Sequence, residues 1–538
     1  MVSSADSAAV AVARAIANKV ARVRARTRGN VTIVPAPAVI EYVDAACVIT
    51  PQRVAQQADV ITVQLVRETP MPKRPNIVLI LTDNQAPWSI GCYGNPDIRT
   101  PHIDGLANAG VRFDNAFCVN PVCSPNRATA LTGLIPSQHG VHSWLGTEKP
   151  SAQMGDDAYQ TLTEFPTLPD LLATEGYRCG LTGKWHLGDS LSPPAPFSYW
   201  FTMPRGHTGS FYDTPAIWQG KQYTEPRYFT DVIAEHAETY IRDAADDDQP
   251  FFLYAPFNGP YGLDHDLHDG HRNRHAAHYA DMDLPDFPRN PRHPWQKAYL
   301  DNNNNPNVFR NYAAAVSGVD DGVGRILNAL DETGVADNTI VIYTSDHGIC
   351  GGHHGFWGMS DHSFPNHLVQ TNLTIPLIVR HPQQIAAGRT ASQRTSHYDL
   401  FPTLLDYLDI APSDLGEHPR VGSSYADLLR RKDSFSETDE TNSVDPPRLI
   451  FHEHEYIRCV QDGQWKLTLR HPAGPHELFH LEADPGEWCN LYDDPDHRTQ
   501  RDRLTHELEA FFADHVDPQF DLWRDGRSKA GITSKQKV

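Results

Sequence analysis

Short, wholly apolar segments alternate with long helical segments in this chain, and that alternation limits its fold more than any other feature. Residues 76–81, 251–254 and 338–343 are mostly branched or aromatic, as is typical of strands buried on both faces of a sheet. Because parallel strands are joined by crossover helices, the pattern predicts an α/β fold with a large, mostly parallel sheet sandwiched by helices.

Helix spacing, proline positions and turn residues extend this prediction along the chain. The predicted helices of the main domain are 100–109, 165–175, 231–245, 312–330 and 400–407, and a further strand is predicted at 177–181. Beyond a polar connection at 432–447, three short strands at 449–455, 457–461 and 465–470 precede a helix at 501–515. These elements predict a smaller C-terminal antiparallel α+β subdomain.

The domain organisation follows from these changes in pattern. We expect an N-terminal extension of unclear role at 1–74, a main domain at 75–431 and the C-terminal subdomain at 432–538. Within the extension, a helix is predicted at 8–28 and short strands at 31–43 and 59–66.

Composition excludes several classes of protein. The 538 residues carry a net charge of −21, which argues against a nucleic-acid partner. No run of about 18 apolar residues predicts a membrane span, and the N-terminus lacks the pattern of a secretory signal, so a cytoplasmic location is expected. The eight cysteines are widely spaced, which favours buried thiols over zinc ribbons or a disulfide framework.

Polar clusters follow directly after the predicted strands. They are Asp83-Asn84, Lys184 with His186, Asn258, and Asp346-His347. In open α/β sheets, ligands bind beyond the carboxyl ends of the strands. The four clusters are therefore expected to converge on one edge of the sheet.

Cys123 stands two residues before Pro125 and four before Arg127, with Gly133 further on. Proline suits a first helical turn, so the spacing places Cys123 at a helix N-terminus, where unpaired N–H groups favour an anion. Arg127 lies one turn later. The residues alone predict a nucleophile with an anion pocket, while a lone cysteine is more often a buried free thiol beside a structural arginine.

The segment Cys123-Ser124-Pro125-Asn126-Arg127, followed by Leu131-Thr132-Gly133, resembles the signature of the formylglycine sulfatases of the alkaline phosphatase superfamily. In that family the cysteine is oxidised by a formylglycine-generating enzyme to an aldehyde, whose hydrate is the nucleophile. The signature departs at Asn126 and at Ala130. The resemblance covers about residues 75–515, including 396–406 and 484–491, and implies an alkaline-phosphatase-like fold with 75–431 as the catalytic domain.

Two carboxylates at separate strand ends, Asp83 and Asp346, suggest a hard divalent cation, although each alone could simply cap a helix. The resemblance implies a calcium site formed by Asp83, Asn84, the modified Cys123, Asp346 and His347. Asn84 replaces a second acid and His347 adds a nitrogen, so Mg²⁺ or Mn²⁺ would be admitted more easily. The amide at Asn84 is also a feature of the related phosphonate monoester hydrolases.

Further segments resemble sulfatase motifs. In Gly183-Lys184-Trp185-His186, the resemblance implies that Lys184 holds a sulfate oxygen and that His186 contacts the formylglycine hydroxyl. The two are expected to point to the same side of an extended chain. The family's Asn-x-Pro-His appears as 258–261, so Tyr261 stands in place of the leaving-group acid, with His265 and His268 as nearby substitutes.

Residues 352–359 resemble the Gly-x-His-Gly segment, but Met359 replaces its lysine. His354 and His362 are therefore predicted to contact substrate, with His362 as the nearest replacement for the lysine, and His353 is expected to be solvated surface. A sugar- or aryl-binding mouth could use some large aromatic residues, although such residues are more often core. These are Trp144, Trp200, Tyr212 and Trp357.

The resemblance implies hydrolysis of a carbohydrate or aryl sulfate ester. A metal ion, Lys184 and Arg127 would surround the ester, and the formylglycine hydrate would attack sulfur while Asp346 or a neighbouring acid takes its proton. Tyr261 or a nearby histidine would assist the leaving alcohol, and His186 would then deprotonate the remaining hydroxyl to expel sulfate.

Three alternatives remain open from the sequence. The first is hydrolysis of phosphonate monoesters or phosphodiesters, which are also monoanions. The second is a non-catalytic binding protein, because the usual lysine and histidine are missing. The third is a cysteine hydrolase using Cys123, which leaves the predicted metal site unexplained. The oligomeric state also stays open, and an oligomer is compatible with the sequence.

Overall fold

The computed structural model describes residues 73–146, 153–154, 158–207, 209–269, 272–411, 415–431 and 448–530. The elements predicted within residues 8–66, and the polar connection predicted at 432–447, lie outside the described residues. Within the described ranges, no helix combines the length and the apolar character needed to cross a bilayer. The cytoplasmic location stays a prediction.

A ten-stranded mixed sheet with flanking helices forms the centre of the fold, which confirms the predicted α/β class. Its strand order is β13-β2-β12-β9-β1-β8-β4-β5-β6-β7. The strands are β1 (Asn76–Asp83), β2 (Val111–Phe113), β4 (Arg178–Thr182), β5 (Phe197–Thr202), β6 (Thr214–Trp218), β7 (Lys221–Glu225), β8 (Phe251–Pro260), β9 (Thr339–Ser345), β12 (Leu377–Arg380) and β13 (Arg389–Ala391). Two pairs of two-residue strands, β3 (Ala116–Phe117) with β14 (Thr395–Ser396) and β10 (Cys350–Gly351) with β11 (Trp357–Gly358), lie outside this sheet.

The five central strands β9, β1, β8, β4 and β5 run parallel. Thr82 of β1 pairs with Ser345 of β9, and Asp83 pairs with Pro260 of β8. The carboxyl ends of these strands therefore lie side by side. This register brings polar residues that are far apart in sequence to one edge of the sheet.

Helices cover both faces of the sheet. They are α1 (Pro101–Asn108), α2 (Cys123–Thr132), α3 (Pro136–His139), α4 (Leu168–Thr174), α5 (Phe229–Ala245), α6 (Asp266–Asp269), α7 (Ala276–Tyr279), α8 (Pro306–Glu332), α9 (Gln370–Leu373), α10 (Leu400–Tyr407), α11 (Ala426–Arg430) and α12 (Arg498–His515). Alternate residues of β1 divide between the two layers. Ile77 and Leu79 pack with the α2, α4 and α10 side, whereas Val78 and Ile80 pack with α5 and α8.

Strands β5, β6 and β7 at one end of the sheet were not predicted, and the pairs β5–β6 and β6–β7 are antiparallel. Strand β7 is exposed along most of its length, so it carries no apolar run that the sequence could reveal. The other predicted elements of the main domain are found within a few residues of their expected bounds. The largest differences are that β8 continues to Pro260 and that α8 begins at Pro306.

A separate four-stranded antiparallel sheet lies in the C-terminal part, as predicted. Its strands are β15 (Ile450–His454), β16 (Ile457–Gln461), β17 (Trp465–Arg470) and the unpredicted β18 (Glu477–His480). Leu504, Leu508 and Phe512 of α12 pack against its Val460 and Leu467. The boundaries at 74 and 431 stay predictions.

Candidate active site

Polar residues meet at the carboxyl edge of the parallel strands. Asp83 ends β1, and Asp346 follows β9 with its N–H donating to the carbonyl of Thr82 at 2.9 Å. Tyr261 follows β8, and its N–H donates to the carbonyl of Asp83 at 2.9 Å. The structure thus brings Asp83, Asp346 and Tyr261 together through backbone hydrogen bonds between neighbouring strands, whereas Asn258 lies within β8 and not after its end.

Cys123 is the first residue of α2, as its spacing from Pro125 predicts. The helix ends at Gly133, which adopts the left-handed conformation with φ 71°. The Sγ atom of Cys123 lies 3.5 Å from Oδ1 of Asp83 and 3.5 Å from Nε2 of His347. Burial, reinforced by the charge of Asp83, raises the pKa of the Cys123 thiol, so the unmodified side chain is a protonated and weak nucleophile.

Four side chains could hold a cation. The ligand atoms of Asp83, Cys123, Asp346 and His347 all lie within 4.8 Å of one another and are buried. The Oδ1 atom of Asn84 is also buried and lacks a hydrogen-bond partner, while its Nδ2 donates to the Tyr261 carbonyl at 2.8 Å. An unsatisfied amide oxygen beside two carboxylates fits a divalent cation that prefers oxygen ligands.

The orientation of His347 supports the same interpretation. Its Nδ1–H donates to the carbonyl of Gly348 at 2.8 Å, because a carbonyl can only accept. The tautomer therefore leaves the lone pair on Nε2, the atom nearest to Cys123 and to Oδ1 of Asp346, which is 3.7 Å away. Such a hydrogen bond is the usual support of a metal-binding imidazole.

Two cationic side chains are paired with the two acids. Lys184 Nζ lies 2.6 Å from Oδ2 of Asp83. Arg127 donates to Oδ2 of Asp346 from Nη2 at 2.8 Å and from Nε at 3.1 Å, and its Nη1 donates to the Lys184 carbonyl at 2.9 Å. All four side chains are fully buried, so each charge depends on its partner.

Burial and charge move the pKa values of the two acids in opposite directions. Burial raises the pKa of Asp83, although Lys184 partly offsets it. Burial also opposes ionisation of Asp346, but its interactions with His347, Arg127 and Lys184 outweigh burial and hold the pKa of Asp346 below its ordinary value. Arg127 makes the closer contacts with Asp346, since its Nη2 is 3.9 Å from Asp83.

Gly183 allows Lys184 to reach Asp83. It adopts φ 129°, and a Cβ at this position would clash with the carbonyl oxygen of Pro256. That carbonyl accepts the N–H of Lys184 at 2.7 Å. The close approach of the two backbones therefore requires glycine.

Replacing Gly183 with Ala is expected to lower the free energy of unfolding by roughly 2–4 kcal/mol, since backbone strain and the clash with Pro256 act together. The control is Gly176→Ala, because Gly176 has φ 87° but open space around its missing Cβ. The free energy of unfolding of Gly176→Ala should fall by only about 1–2 kcal/mol, the cost of the backbone strain alone. Urea denaturation of both variants measures the difference, and equal losses would contradict a specific role for the close approach.

His186 is oriented differently from the sequence expectation. Its backbone adopts φ 58°, which breaks the extended geometry assumed for residues 184–186. Its Nε2–H donates to the carbonyl of Leu145 at 2.8 Å, and its Nδ1 is buried without a partner. Burial and the charge of Lys184 hold the pKa of His186 well below its ordinary value, so the ring is neutral with a free lone pair on Nδ1.

Tyr261 lies beside the nucleophile position. It packs in the same buried cluster as Cys123, and Lys184 Nζ lies 5.5 Å from the centre of its ring. Burial raises the pKa of Tyr261 well above its ordinary value, with Cys123 and Asp83 adding to the shift. By contrast, His265, predicted as a substitute acid, has an exposed side chain.

The histidines of 353–362 are tied to their surroundings. His354 donates from Nδ1 to the Gly486 carbonyl and accepts at Nε2 from the Thr371 hydroxyl, both at 2.8 Å. His362 accepts the N–H of Met359 at 3.2 Å, and its ring packs on Tyr299. Contact of either ring with substrate stays a prediction.

The burial of the large aromatic residues agrees with the core alternative, whereas one histidine differs from the sequence interpretation. Trp200 and Trp357 are almost fully buried core residues rather than parts of a mouth. His353, predicted to be solvated, packs on Trp88 with 4.8 Å between ring centres. Trp144 and Tyr212 are partly buried.

Asn126 supports the site in a way that the sequence did not reveal. Its side-chain amide donates to the backbone carbonyl of Asp346 and to Nδ1 of His397. Its Oδ1 accepts the N–H of Val119 at 2.9 Å. The departure from the signature at this position was visible, but only the fold reveals that Asn126 links α2 to the strand end carrying Asp346.

Known proteins resemble this chain in sequence and in fold. A family model described as Sulfatase matches residues 75–410, and one described as N-sulphoglucosamine sulphohydrolase, C-terminal, matches 355–514. An N-acetylglucosamine-6-O-sulfatase from Bacteroides thetaiotaomicron is 28% identical over 514 residues, covering 81% of this chain and 86% of the relative. An ulvan-active sulfatase from Formosa agariphila is 27% identical over 475 residues, covering 84% of each chain.

A solved structure described as a complex with its substrate D-glucosamine-2-N,6-O-disulfate has a similar fold. Its TM-score is 0.62 at 25% sequence identity, and the match covers 86% of this chain and all of that chain.

Proposed function

This chain belongs to the sulfatase family, whose members hydrolyse sulfate esters, and we propose that its substrate is a sulfated carbohydrate attacked by a formylglycine made from Cys123. The names of the two relatives support a carbohydrate, since one acts on N-acetylglucosamine 6-sulfate groups and the other on ulvan. The geometry around Cys123 supports the nucleophile.

The observation that carries the proposal is the position of Cys123, which lies beside two ion pairs, Asp83 with Lys184 and Asp346 with Arg127. Its Sγ lies 3.5 Å from both Asp83 and His347, in a site whose two carboxylates are balanced by Lys184 and Arg127. A divalent cation would leave this site with an excess of positive charge. Such a site attracts a monoanion, which is the charge state of a sulfate ester.

Asp83, Asn84, Asp346 and His347 would hold the divalent cation, with Ca²⁺ the first choice and Mg²⁺ or Mn²⁺ as alternatives. The cation would supply Lewis-acid polarisation of a sulfate oxygen. Formylglycine would supply the hydroxyl of a hydrated aldehyde at the position of Cys123. The identity of the ion and the maturation by a formylglycine-generating enzyme are parts of this proposal.

The chain's own residues orient these groups. Arg127 fixes the carboxylate of Asp346 through two hydrogen bonds, and Lys184 neutralises Asp83 and directs an ammonium group into the same space. His186 is neutral, and its free Nδ1 can accept a proton, as expected of the base that releases sulfate.

The test combines mass spectrometry with a substrate panel. We expect the peptide containing Cys123 to carry formylglycine in protein from its native host. We expect that protein to release inorganic sulfate from glucosamine 6-sulfate faster than from a simple aryl sulfate. An unmodified thiol with no hydrolysis of any ester would favour a non-catalytic binding protein instead.

Phosphonate monoester hydrolysis is the second candidate, and Asn84 is the observation that favours it. An amide stands where sulfatases usually have a second acid, and its Oδ1 has no partner within the described residues. Phosphonate monoesters are monoanions and would fit the same positive site. Comparing kcat/KM for phenyl phosphonate with that for an aryl sulfate decides, since faster phosphonate turnover would reject the sulfate ester.

A further inference from the structure

The ring of His186 is fixed by a hydrogen bond that leads back to the nucleophile position. Its Nε2–H donates to the carbonyl of Leu145 at 2.8 Å. The N–H of Leu145 donates to the Ser124 hydroxyl at 3.1 Å, and Ser124 is the next residue after Cys123 in α2. The ring is therefore tied through Leu145 to the helix that carries Cys123.

Gly206 lies directly against the same ring. A Cβ atom on Gly206 would overlap Nε2, Cδ2 and Cε1 of His186, and these are the three atoms nearest to it. The backbone of Gly206 does not adopt the left-handed region. Glycine is therefore required here by the space that the imidazole fills and not by the backbone conformation.

The contact follows from the register of two parallel strands. Strand β4 precedes His186, and β5 beside it ends at Thr202. The N–H of Trp185 donates to the hydroxyl of Thr202 at 3.3 Å, so the two segments stay adjacent beyond the strand ends. His186 and residues 203–206 come next in these segments. The sheet thus places Gly206 beside the ring.

We propose that Gly206 is a positioning residue, whose missing side chain leaves room for His186 to present its free Nδ1 to the reacting group. The proposal rests on the proposed ester hydrolysis. In that reaction Nδ1 takes the proton of the hydroxyl that remains after the alcohol has left. The electron pair of that O–H bond restores the carbonyl group, and sulfate leaves with the electron pair of its bond to carbon. The proton then passes from His186 to solvent.

The kind of atom that Gly206 contacts determines what an added side chain would do. At Gly183 the obstructing atom is a backbone carbonyl oxygen, which cannot move far. At Gly206 the nearest atoms all belong to a side chain, so the imidazole can turn away while the backbone stays in place. Turning would break the hydrogen bond to Leu145 and move Nδ1. A methyl group at position 206 should therefore impair the release of sulfate more than the fold.

We expect Gly206→Ala to lower kcat on 4-nitrophenyl sulfate by about 10²-fold or more, while kcat/KM stays within a few-fold. The reason is that His186 acts only after 4-nitrophenol has left. Stopped-flow absorbance should therefore show a burst of about one equivalent of 4-nitrophenol followed by a slow phase.

The matched control is Gly209→Ala, because a Cβ atom on Gly209 would meet open space. This variant should keep the wild-type kcat and the wild-type time course. Equal kcat values for Gly206→Ala and Gly209→Ala would overturn the proposal.

A second measurement needs no hydrolysis and therefore separates this proposal from the proposed function. Hydrogen–deuterium exchange at Cε1 of the imidazole, followed by mass spectrometry of the peptide that carries His186, reports the pKa of that ring. In the wild-type protein, burial and the charge of Lys184 hold this pKa well below its ordinary value. In Gly206→Ala the pKa should rise toward the ordinary value, because the ring leaves its buried position. An unchanged pKa would overturn the positioning role, whereas a wild-type protein that cleaves no sulfate ester contradicts the proposed function.

Combination with His186→Ala tests whether Gly206 acts through the imidazole. Without the ring, a methyl group at position 206 has room, so adding Gly206→Ala to His186→Ala should lower neither kcat nor the melting temperature further. If Gly206→Ala alone does not fold, the double variant should recover the fold. Additive losses, or no recovery, would mean that Gly206 has a structural role independent of His186 and would overturn the proposal.

Discussion

Cys123→Ala is expected to lower sulfate release by about 10⁴-fold or more while the protein stays folded. The expectation follows from position, because Cys123 begins α2 and its Sγ lies 3.5 Å from both Asp83 and His347. Alanine lacks the thiol that is oxidised to formylglycine, but it leaves the surrounding charges in place. Ion chromatography of released sulfate and a melting curve measure the two effects separately.

The control for this variant is Cys179→Ala. Cys179 is a buried thiol on β4, and its nearest polar contact is the carbonyl of Pro169 at 3.6 Å. Losing its sulfur should cost roughly 1 kcal/mol of stability without affecting sulfate release. Hydrolysis by Cys123→Ala at the wild-type rate would exclude Cys123 as the source of the nucleophile.

The strand-end positions could be predicted because an apolar run marks each strand and the polar residue follows it directly. Asp83 and Asp346 are far apart in sequence, yet both follow such runs, and Arg127 reaches both in the structure. The helix beginning at Cys123 could be predicted equally well, since Pro125 and Gly133 mark its two ends.

Side-chain direction in loops could not be predicted in the same way. His186 turns to Leu145 because its backbone is left-handed, and no residue pattern signals that conformation for a histidine. Likewise, Asp264 and His265 are neighbours of which one is buried and the other exposed. Without a strand or helix period through this segment, the residue pattern does not predict which of the two side chains is buried.

Asp346 is expected to be the residue whose loss affects stability most within the site. Its carboxylate accepts two hydrogen bonds from Arg127, one from the His347 N–H at 2.9 Å and one from the Asn84 N–H at 3.2 Å. Asp346→Ala would leave the buried Arg127 charge without its main partner. We expect a loss of about 3–5 kcal/mol in the free energy of unfolding, together with loss of sulfate release.

An exposed ion pair of similar length provides the control for the stability effect. Arg242 and Glu332 are 2.6 Å apart with side chains about half exposed. Glu332→Ala should therefore cost no more than about 1 kcal/mol. If Asp346→Ala lost as little stability as Glu332→Ala, Arg127 would have found a new partner, with Asp83 at 3.9 Å as the nearest candidate.

Calcium titration of the wild-type protein and of Asp346→Ala tests the proposed cation site. A cation that binds only the folded protein stabilises it by about 2.7 kcal/mol at one hundred times its dissociation constant. The melting temperature of the wild-type protein should therefore rise with added Ca²⁺. Asp346→Ala should show little of this rise, because it removes one of the two carboxylates of the site. An unchanged rise would place the cation away from Asp346 and would contradict the charge argument on which the sulfate ester proposal depends.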